Sequence, residues 1–241
     1  MNHFKPSGFL FDNDGLVLDT EQALVGINTE MLKPYGIKFD PSTRKFFTGK
    51  PDIPGLKVLI EKHNLKGKVS AEELSERRKG ILDQWYSEKA DFVPGFTDYY
   101  KVLRKVFQDI PVAIASGTDP GRYNMADKKR GLREMFDNNI CLSRDAKVRH
   151  KPEPDIIVYA AGMIRAPVTE CVVWEDSPLG LVSSYNAGVR KNICLTRTLE
   201  KKEVEEAIQE ILGKKLEGEM LFIDGFNKKS LQETIDYIRK I

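Results

Sequence analysis

The sequence predicts an α/β protein, a parallel sheet covered by helices on both faces, with an all-helical segment inserted after the first strand. Three observations point there. From Pro94 onward, short apolar runs alternate with helical patterns of ten or so residues. Between about Asp19 and about Asp91 the spacing is helical and no strand pattern appears. Polar residues suited to chemistry follow directly on several of the predicted strands.

Taken in order, Gly8–Phe11 reads as a short buried strand stopped by Asp12, Asn13, Asp14 and Gly15. Leu24, Ile27, Met31, Leu32 and Tyr35 then fall on one helical face, and Pro34 predicts that this helix ends or bends before Gly36. Ser70 followed by Glu73 is a capping box opening a helix through Ile81, Leu82 and Trp85. Pro94 and Gly95 return the chain to the alternating pattern. Helix Thr97–Phe107 precedes strand Pro111–Ala115, and a helical stretch precedes strand Asn139–Leu142. Helix Asp155–Met163 leads to strand Cys171–Trp174, and helix Leu179–Ala187 to strand Asn192–Leu195. Glu200–Lys215 reads as an exposed helix, and strand Met220–Ile223 precedes a last helix. The expected division is a core of residues 1–18 and 92–241 and a helical domain of residues 19–91.

A chain of 241 residues can bury a sizeable core, and 41% hydrophobic with 31% charged residues argues against extended disorder. Its 38 basic and 36 acidic residues nearly cancel, so a nucleic-acid partner is not expected. Basic runs such as Arg77, Arg78, Lys79 and Lys128, Lys129, Arg130 have acidic residues close by and read as solvated helix faces. Cys141, Cys171 and Cys194 each sit in an apolar run and read as reduced interior residues. No signal-peptide order and no membrane-spanning run is seen, so a cytoplasmic protein without a membrane partner is expected, as a monomer or a homodimer.

Ligands of open parallel sheets bind beyond the carboxyl ends of the strands. There the sequence delivers Asp12 and Asp14; Ser116, Gly117 and Thr118; and Glu175 and Asp176, with Lys151 in a loop turned by Pro152 and Pro154. Clustered carboxylates repel one another, and a hard divalent cation with oxygen ligands is their natural neutraliser. Magnesium would also cancel the repulsion between a phosphoryl group and an incoming carboxylate. Asp12 is then placed to attack phosphorus, Asp14 to act as acid and base, and Ser116, neighbouring amides and Lys151 to hold phosphoryl oxygens. Alone, Asp-x-Asp-Gly is equally a turn, Ser116-Gly117 and Lys151 are weak signals, and Ser177 or Asp176 could merely cap a helix. In order and together they are hard to explain as turns.

These stretches resemble the four motifs of the haloacid dehalogenase superfamily, in its branch similar to β-phosphoglucomutase and pseudouridine-5′-phosphatase. Phe11-Asp12-Asn13-Asp14-Gly15-Leu16-Val17-Leu18-Asp19-Thr20-Glu21 resembles the first and Ala115-Ser116-Gly117 the second. Lys151-Pro152-Glu153-Pro154-Asp155-Ile156 resembles the third and Trp174-Glu175-Asp176-Ser177-Pro178-Leu179-Gly180 the fourth. The resemblance implies a Rossmann-like core with a helical cap over residues 19–91. It implies Asp12 as nucleophile and Asp14 as general acid and base. Magnesium would be held by the Asp12 carboxylate, the Asp14 carbonyl and Asp176, with Glu175 beside or within the shell. Ser116, Gly117 and Lys151 would bind the phosphoryl group. An acid at Asp14 favours phosphate-ester chemistry, because dehalogenases and phosphonate-cleaving members lack it. Gly49 and Lys50, in Thr48-Gly49-Lys50-Pro51, resemble the cap's substrate loop, while a plain turn with a solvated lysine is the competing reading.

Departures from the pattern are Asn13 in a commonly apolar slot, His150 where glycine is usual, and a bulky Trp174. His150 beside Arg149 reads as a loop-exposed imidazole, and His63 as a surface residue. The expected activity is magnesium-dependent hydrolysis of a small phosphorylated metabolite, a sugar or nucleoside monophosphate, through an aspartyl-phosphate. The alternatives are a hexose phosphate mutase and, from another class, an inactive binding protein. Mutases of this type carry a His on the first cap helix and an Arg in the cap loop. Here Glu21–Tyr35 contains no His, and the nearest Arg to Gly49 is Arg44.

Overall fold

The computed structural model describes residues 4–46, 52–214, 216 and 219–240. The chain divides into two compact units, Met1–Asp19 with Asp91–Ile241, and Thr20–Ala90.

The first unit is built on six strands: β1 (Gly8–Phe11), β2 (Val112–Ser116), β3 (Ile140–Leu142), β4 (Cys171–Glu175), β5 (Lys191–Leu195) and β6 (Glu219–Ile223). They form one sheet in the order β3-β2-β1-β4-β5-β6, and every pairing is parallel. This explains the apolar runs: a parallel sheet covered on both faces buries alternate residues on either side, so β1, β2, β4 and β5 are buried throughout. The strand order reverses between β1 and β4, and a crevice opens at the carboxyl ends of two strands whose connections leave in opposite directions.

The helices of this unit are α4 (Phe96–Val106), α5 (Pro120–Arg130), α6 (Leu132–Met135), α7 (Ser143–Ala146), α8 (Asp155–Met163), α9 (Pro178–Asn186), α10 (Lys201–Leu212) and α11 (Lys228–Arg239). On one sheet face α8 lays Ile156, Ile157, Ala160 and Ala161 against Leu10, Ala113, Cys141 and Val173. On the other face the alternating residues of β1, Phe9 and Phe11, and Trp174 of β4 are aromatic. Phe11 stacks on Trp174 with centroids 4.4 Å apart, Phe9 meets Trp174 edge-on at 5.1 Å, and Phe96, Tyr100 and Phe136 pack around Phe11. The bulk of Trp174 thus has a place, and its indole N–H donates to the Tyr99 hydroxyl at 3.0 Å. Tyr99 in turn donates to Thr234 Oγ1 at 2.8 Å, so no polar tip in this layer lacks a partner.

The second unit holds α1 (Thr20–Leu32), α2 (Asp52–Lys62) and α3 (Ala71–Glu88) around a core of Met31, Leu32, Phe39, Leu56, Leu59 and Leu74. Among its described residues there is no strand. The first helix stops at Leu32, runs through a tight turn at Lys33–Tyr35 and ends at Gly36 in left-handed conformation, as Pro34 foretold. Ser70 and Glu73 form the capping box of α3, with both reciprocal bonds present. A buried Arg78 ties this helix to the other two: Nε donates to Asn28 at 2.8 Å and Nη1 to both oxygens of Asp52.

Where the chain leaves the first unit and returns to it, the two segments are paired. Asp19 N–H donates to the Asp91 carbonyl at 2.9 Å and Val93 N–H to the Val17 carbonyl at 2.9 Å. Arg197, just beyond β5, grips the Asp19 carboxylate with two parallel bonds of 3.0 and 3.2 Å. Gly95 then opens α4 with φ of +82°, and a β-carbon there would lie 2.1 Å from the Phe226 carbonyl oxygen. Gly95→Ala should therefore destabilise the protein by roughly 1–3 kcal/mol in urea unfolding, combining left-handed strain with a backbone overlap. A loss below about 0.5 kcal/mol would show that the α4 and α11 ends separate freely.

Candidate active site

Strand register decides which polar groups meet. Phe11 pairs with Trp174, so the next residues, Asp12 and Glu175, stand side by side at the reversal point. Asp12 N–H donates to the Trp174 carbonyl at 3.0 Å, extending the ladder one residue beyond β1 and fixing the Asp12 backbone. Ser116 and Glu175, which the sequence placed just past their strands, are the last strand residues, so both are held by the sheet.

Lys151 reaches in from the loop before α8. Its Nζ donates to Asp12 Oδ1 at 2.6 Å and also to Glu175 Oε1. Glu175 is fully buried, and its other oxygen accepts from Asp176 N–H at 3.1 Å, Ser177 N–H at 3.3 Å and Ser177 Oγ at 3.0 Å. Ser177 also caps α9 by accepting from Gly180 N–H at 3.1 Å. A buried carboxylate at a helix N-terminus, meeting amide donors and an ammonium, has the partners that burial of charge demands.

The electrostatics follow from burial. Removal from water pushes the Asp12 carboxyl up to about 7; Lys151 opposes the rise, and the neighbouring Glu175 and Asp14 charges add to it. Burial alone would lower the Lys151 ammonium, but Asp12 and Glu175 reverse that and hold it above the usual lysine value. One ammonium is thus shared between the two inner carboxylates. Asp12, Glu175 and Asp176 each present an oxygen, and these oxygens lie within 4.8 Å of one another. An all-oxygen, acidic donor set of this spacing fits a hard divalent cation such as magnesium.

Asp14 is half-buried and belongs to a second group of contacts. Thr118 Oγ1 donates to its Oδ2, and Asn13 Nδ2 donates to its Oδ1 at 3.3 Å. Ser116 Oγ lies 2.7 Å from Thr118 Oγ1 and accepts from Thr118 N–H at 3.1 Å. The turn that carries Asp14 is closed by Val17 and Leu18 N–H donating to the Asn13 carbonyl, with Gly15 at φ of +85°. Gly117 is exposed at the tip of β2, where a β-carbon would meet nothing within 4 Å.

The structure thus brings Asp12, Lys151, Glu175 and Asp176 together, and Asp14, Ser116 and Thr118 together beside them. Gly49 and Lys50 lie outside the described residues. His150 is exposed, and its neighbour Arg149 is bound to Asp155 and Glu153. His63 is half-buried. The three cysteines are buried and unpaired. No helix among the described residues is long and apolar enough to cross a membrane. Among the contacts not anticipated from the sequence are Thr118 on Asp14 and Arg197 on Asp19, each joining residues more than a hundred positions apart.

Over residues 9–193 the sequence matches the family described as haloacid dehalogenase-like hydrolase. The chain belongs to that family. It is 31% identical over 185 residues to a Drosophila melanogaster protein named probable pseudouridine-5′-phosphatase, covering 75% of this chain and 78% of that one. With (DL)-glycerol-3-phosphatase 2 of Arabidopsis thaliana it shares 29% identity over 186 residues, covering 75% of each. Its fold is similar to a crystal structure of a family hydrolase from Deinococcus radiodurans R1 with bound phosphate and sodium. The TM-score is 0.74 at 20% identity, covering 98% of this chain and 97% of that one.

In this hydrolase Gly180 is the residue that admits Glu175. A β-carbon at position 180 would sit 1.8 to 2.4 Å from the buried carboxylate, so one of the two must shift. Gly180→Ala should cost roughly 1–3 kcal/mol in thermal or urea unfolding, an overpacking penalty, and should separate Glu175 from Lys151. A crystal structure of the variant with that ion pair undisturbed would show that α9 moves instead.

Proposed function

We propose that this hydrolase cleaves a small phosphate monoester, of the sugar, polyol or nucleoside class, with magnesium and through an aspartyl-phosphate on Asp12. The observation that carries the reading is the Asp12 carboxylate at the strand reversal, 2.6 Å from the Lys151 ammonium and within metal-sharing distance of Glu175 and Asp176. The two relatives, named as a glycerol-3-phosphatase and a pseudouridine-5′-phosphatase, support a phosphomonoester and differ in the alcohol.

In this reading an Asp12 oxygen attacks phosphorus while the bond from phosphorus to the ester oxygen breaks. Asp14 gives its proton to the departing alcohol oxygen. The same carboxylate then takes a proton from water, which attacks phosphorus and releases inorganic phosphate and free Asp12. Lys151, Ser116 and the amide of Gly117 bind the phosphoryl oxygens and keep their charge close to a fixed cation. The Asp12 carboxylate, the Asp14 carbonyl and Asp176 would hold magnesium, with Glu175 beside them. When bound, the ion supplies charge neutralisation that favours the ionised, nucleophilic form of Asp12. The helical unit, Thr20–Ala90, acts as a cap that reads the leaving group.

A panel of phosphate esters assayed for free phosphate, with magnesium and with chelator, tests this directly. Release from several small monoesters, lost on chelation, is expected; silence across the panel with magnesium present would overturn it. Interconversion of glucose 1-phosphate and glucose 6-phosphate without phosphate release would instead favour a mutase. Asp12→Asn, nearly isosteric, should remove turnover while leaving the unfolding midpoint close to that of the parent. Substantial residual activity there would rule out the covalent route. For Asp14→Asn the expected loss in kcat is on the order of 10²–10⁴-fold, and an unchanged kcat would remove Asp14 from its role.

A further inference from the structure

We infer that Asn13 and Thr118 are positioning residues that hold the Asp14 carboxylate in the orientation from which it serves the ester oxygen. This deepens the proposed phosphatase reading and rests on Asp14 being its acid and base.

The geometry is a network of hydrogen bonds among Asn13, Asp14, Ser116 and Thr118. In its ionised form the Asp14 carboxylate only accepts, so Thr118 Oγ1 spends its single proton on Oδ2, and the Oδ1 side is left to carry the catalytic proton. In the substrate-free site the 2.7 Å contact between Ser116 and Thr118 is then donated by Ser116, since the threonine has no second proton, and that serine proton turns to the phosphoryl oxygen when an ester binds. Asn13 Nδ2 gives one bond to Thr118 Oγ1 at 3.2 Å and one to Asp14 Oδ1 at 3.3 Å. Both Asp14 oxygens are thereby fixed, by groups from two different strand ends. Rotation of the carboxylate breaks both bonds together.

Burial argues that this is what the amide is for. Asn13 is fully buried, and its Oδ1 has no hydrogen-bond partner among the described residues. An apolar side chain would fill the slot without stranding a polar atom. Turning the amide over would set its carbonyl oxygen against the Asp14 carboxylate and the Thr118 oxygen, so the nitrogen belongs on that side. Thr118 is nine-tenths buried as well, at the end of the short loop after β2, where Ser116 accepts its backbone N–H at 3.1 Å.

Loss of the acid's orientation should matter most where the leaving group needs a proton. The probes are phenyl phosphate, whose phenol leaves poorly, and p-nitrophenyl phosphate, whose nitrophenol leaves readily as the anion. In Thr118→Val and in Asn13→Leu, kcat/KM for phenyl phosphate should fall roughly tenfold or more beyond any fall for p-nitrophenyl phosphate, a part of the full acid–base effect. Thr118→Ser, which keeps the hydroxyl, should restore the ratio to that of the parent. An equal fall on both probes, an unchanged ratio, or a serine variant that behaves like valine would overturn the inference. If Thr118→Val fails to fold, Asn13→Leu decides alone. Asp14→Asn serves as the reference: if it leaves the ratio unchanged, the acid–base reading of Asp14 is what fails, and if it shifts the ratio while the other variants do not, the positioning role fails.

Discussion

Crowding of like charge at the tips of two adjacent strands is the constraint that shapes this core. Asp12 and Glu175 stand side by side because β1 and β4 pair in a fixed register, and Asp14 and Asp176 follow each by one or two residues. Among the described residues, Lys151 alone supplies a positive charge within bonding distance of both inner carboxylates. Bare, such a cluster costs several kcal/mol per uncompensated ion, which is a large share of a domain's total stability. Everything around it works to make that cost tolerable. Amide donors at the start of α9 meet Glu175, the ammonium bridges the pair, and Asp12 carries the remaining strain as a raised affinity for protons.

The offset comes from directly beneath. Phe11 and Trp174, the residues before Asp12 and Glu175, stack on one another in a fully buried aromatic layer. Burying one aromatic side chain of this size contributes about 4–6 kcal/mol, from roughly 150–250 Å² at about 25 cal/mol per Å². Each strand therefore ends with a large stabilising side chain followed immediately by a destabilising one. The stack also fixes geometry. A shift of β1 against β4 by one residue would expose the aromatic pair and part Asp12 from Glu175 in the same movement.

How much of this could be read from the sequence depends on the range of the interaction. Strand ends were legible because an apolar run broken by Asp12, by Ser116-Gly117 or by Glu175-Asp176 has few other readings in a parallel sheet. The capping box at Ser70 and the stop at Pro34 were legible because both are set within four or five residues. Strand limits shifted by a residue, since Ser116, Glu175 and Lys191 are polar yet lie inside their strands, paired on the ladder and buried. Trp174 looked too large for its place until Tyr99 and Thr234, far along the chain, supplied its hydrogen-bonded pocket. Asn13 looked like a packing irregularity because its partner, Thr118, is 105 residues away. Side-chain pairs of that separation are products of strand order, and no local pattern announces them.

All the groups assigned to the chemistry belong to one compact unit, Met1–Asp19 with Asp91–Ile241. The phosphoryl end of a substrate is common to every monoester, so a site made of strand tips locked in register suits it, and adaptability there would only loosen the charge cluster. The alcohol is what differs between one ester and another. Its recognition falls, in the proposed function, to the helical unit, whose core of Met31, Leu32, Leu56, Leu59 and Leu74 is separate from that of the sheet. The chain crosses between the units at Asp19 and Asp91, where a backbone bond and the Arg197 clasp pin the crossing point to the sheet. In that reading, changes within the helical unit would alter which alcohol is accepted without disturbing Asp12, because the crossing is pinned to the sheet.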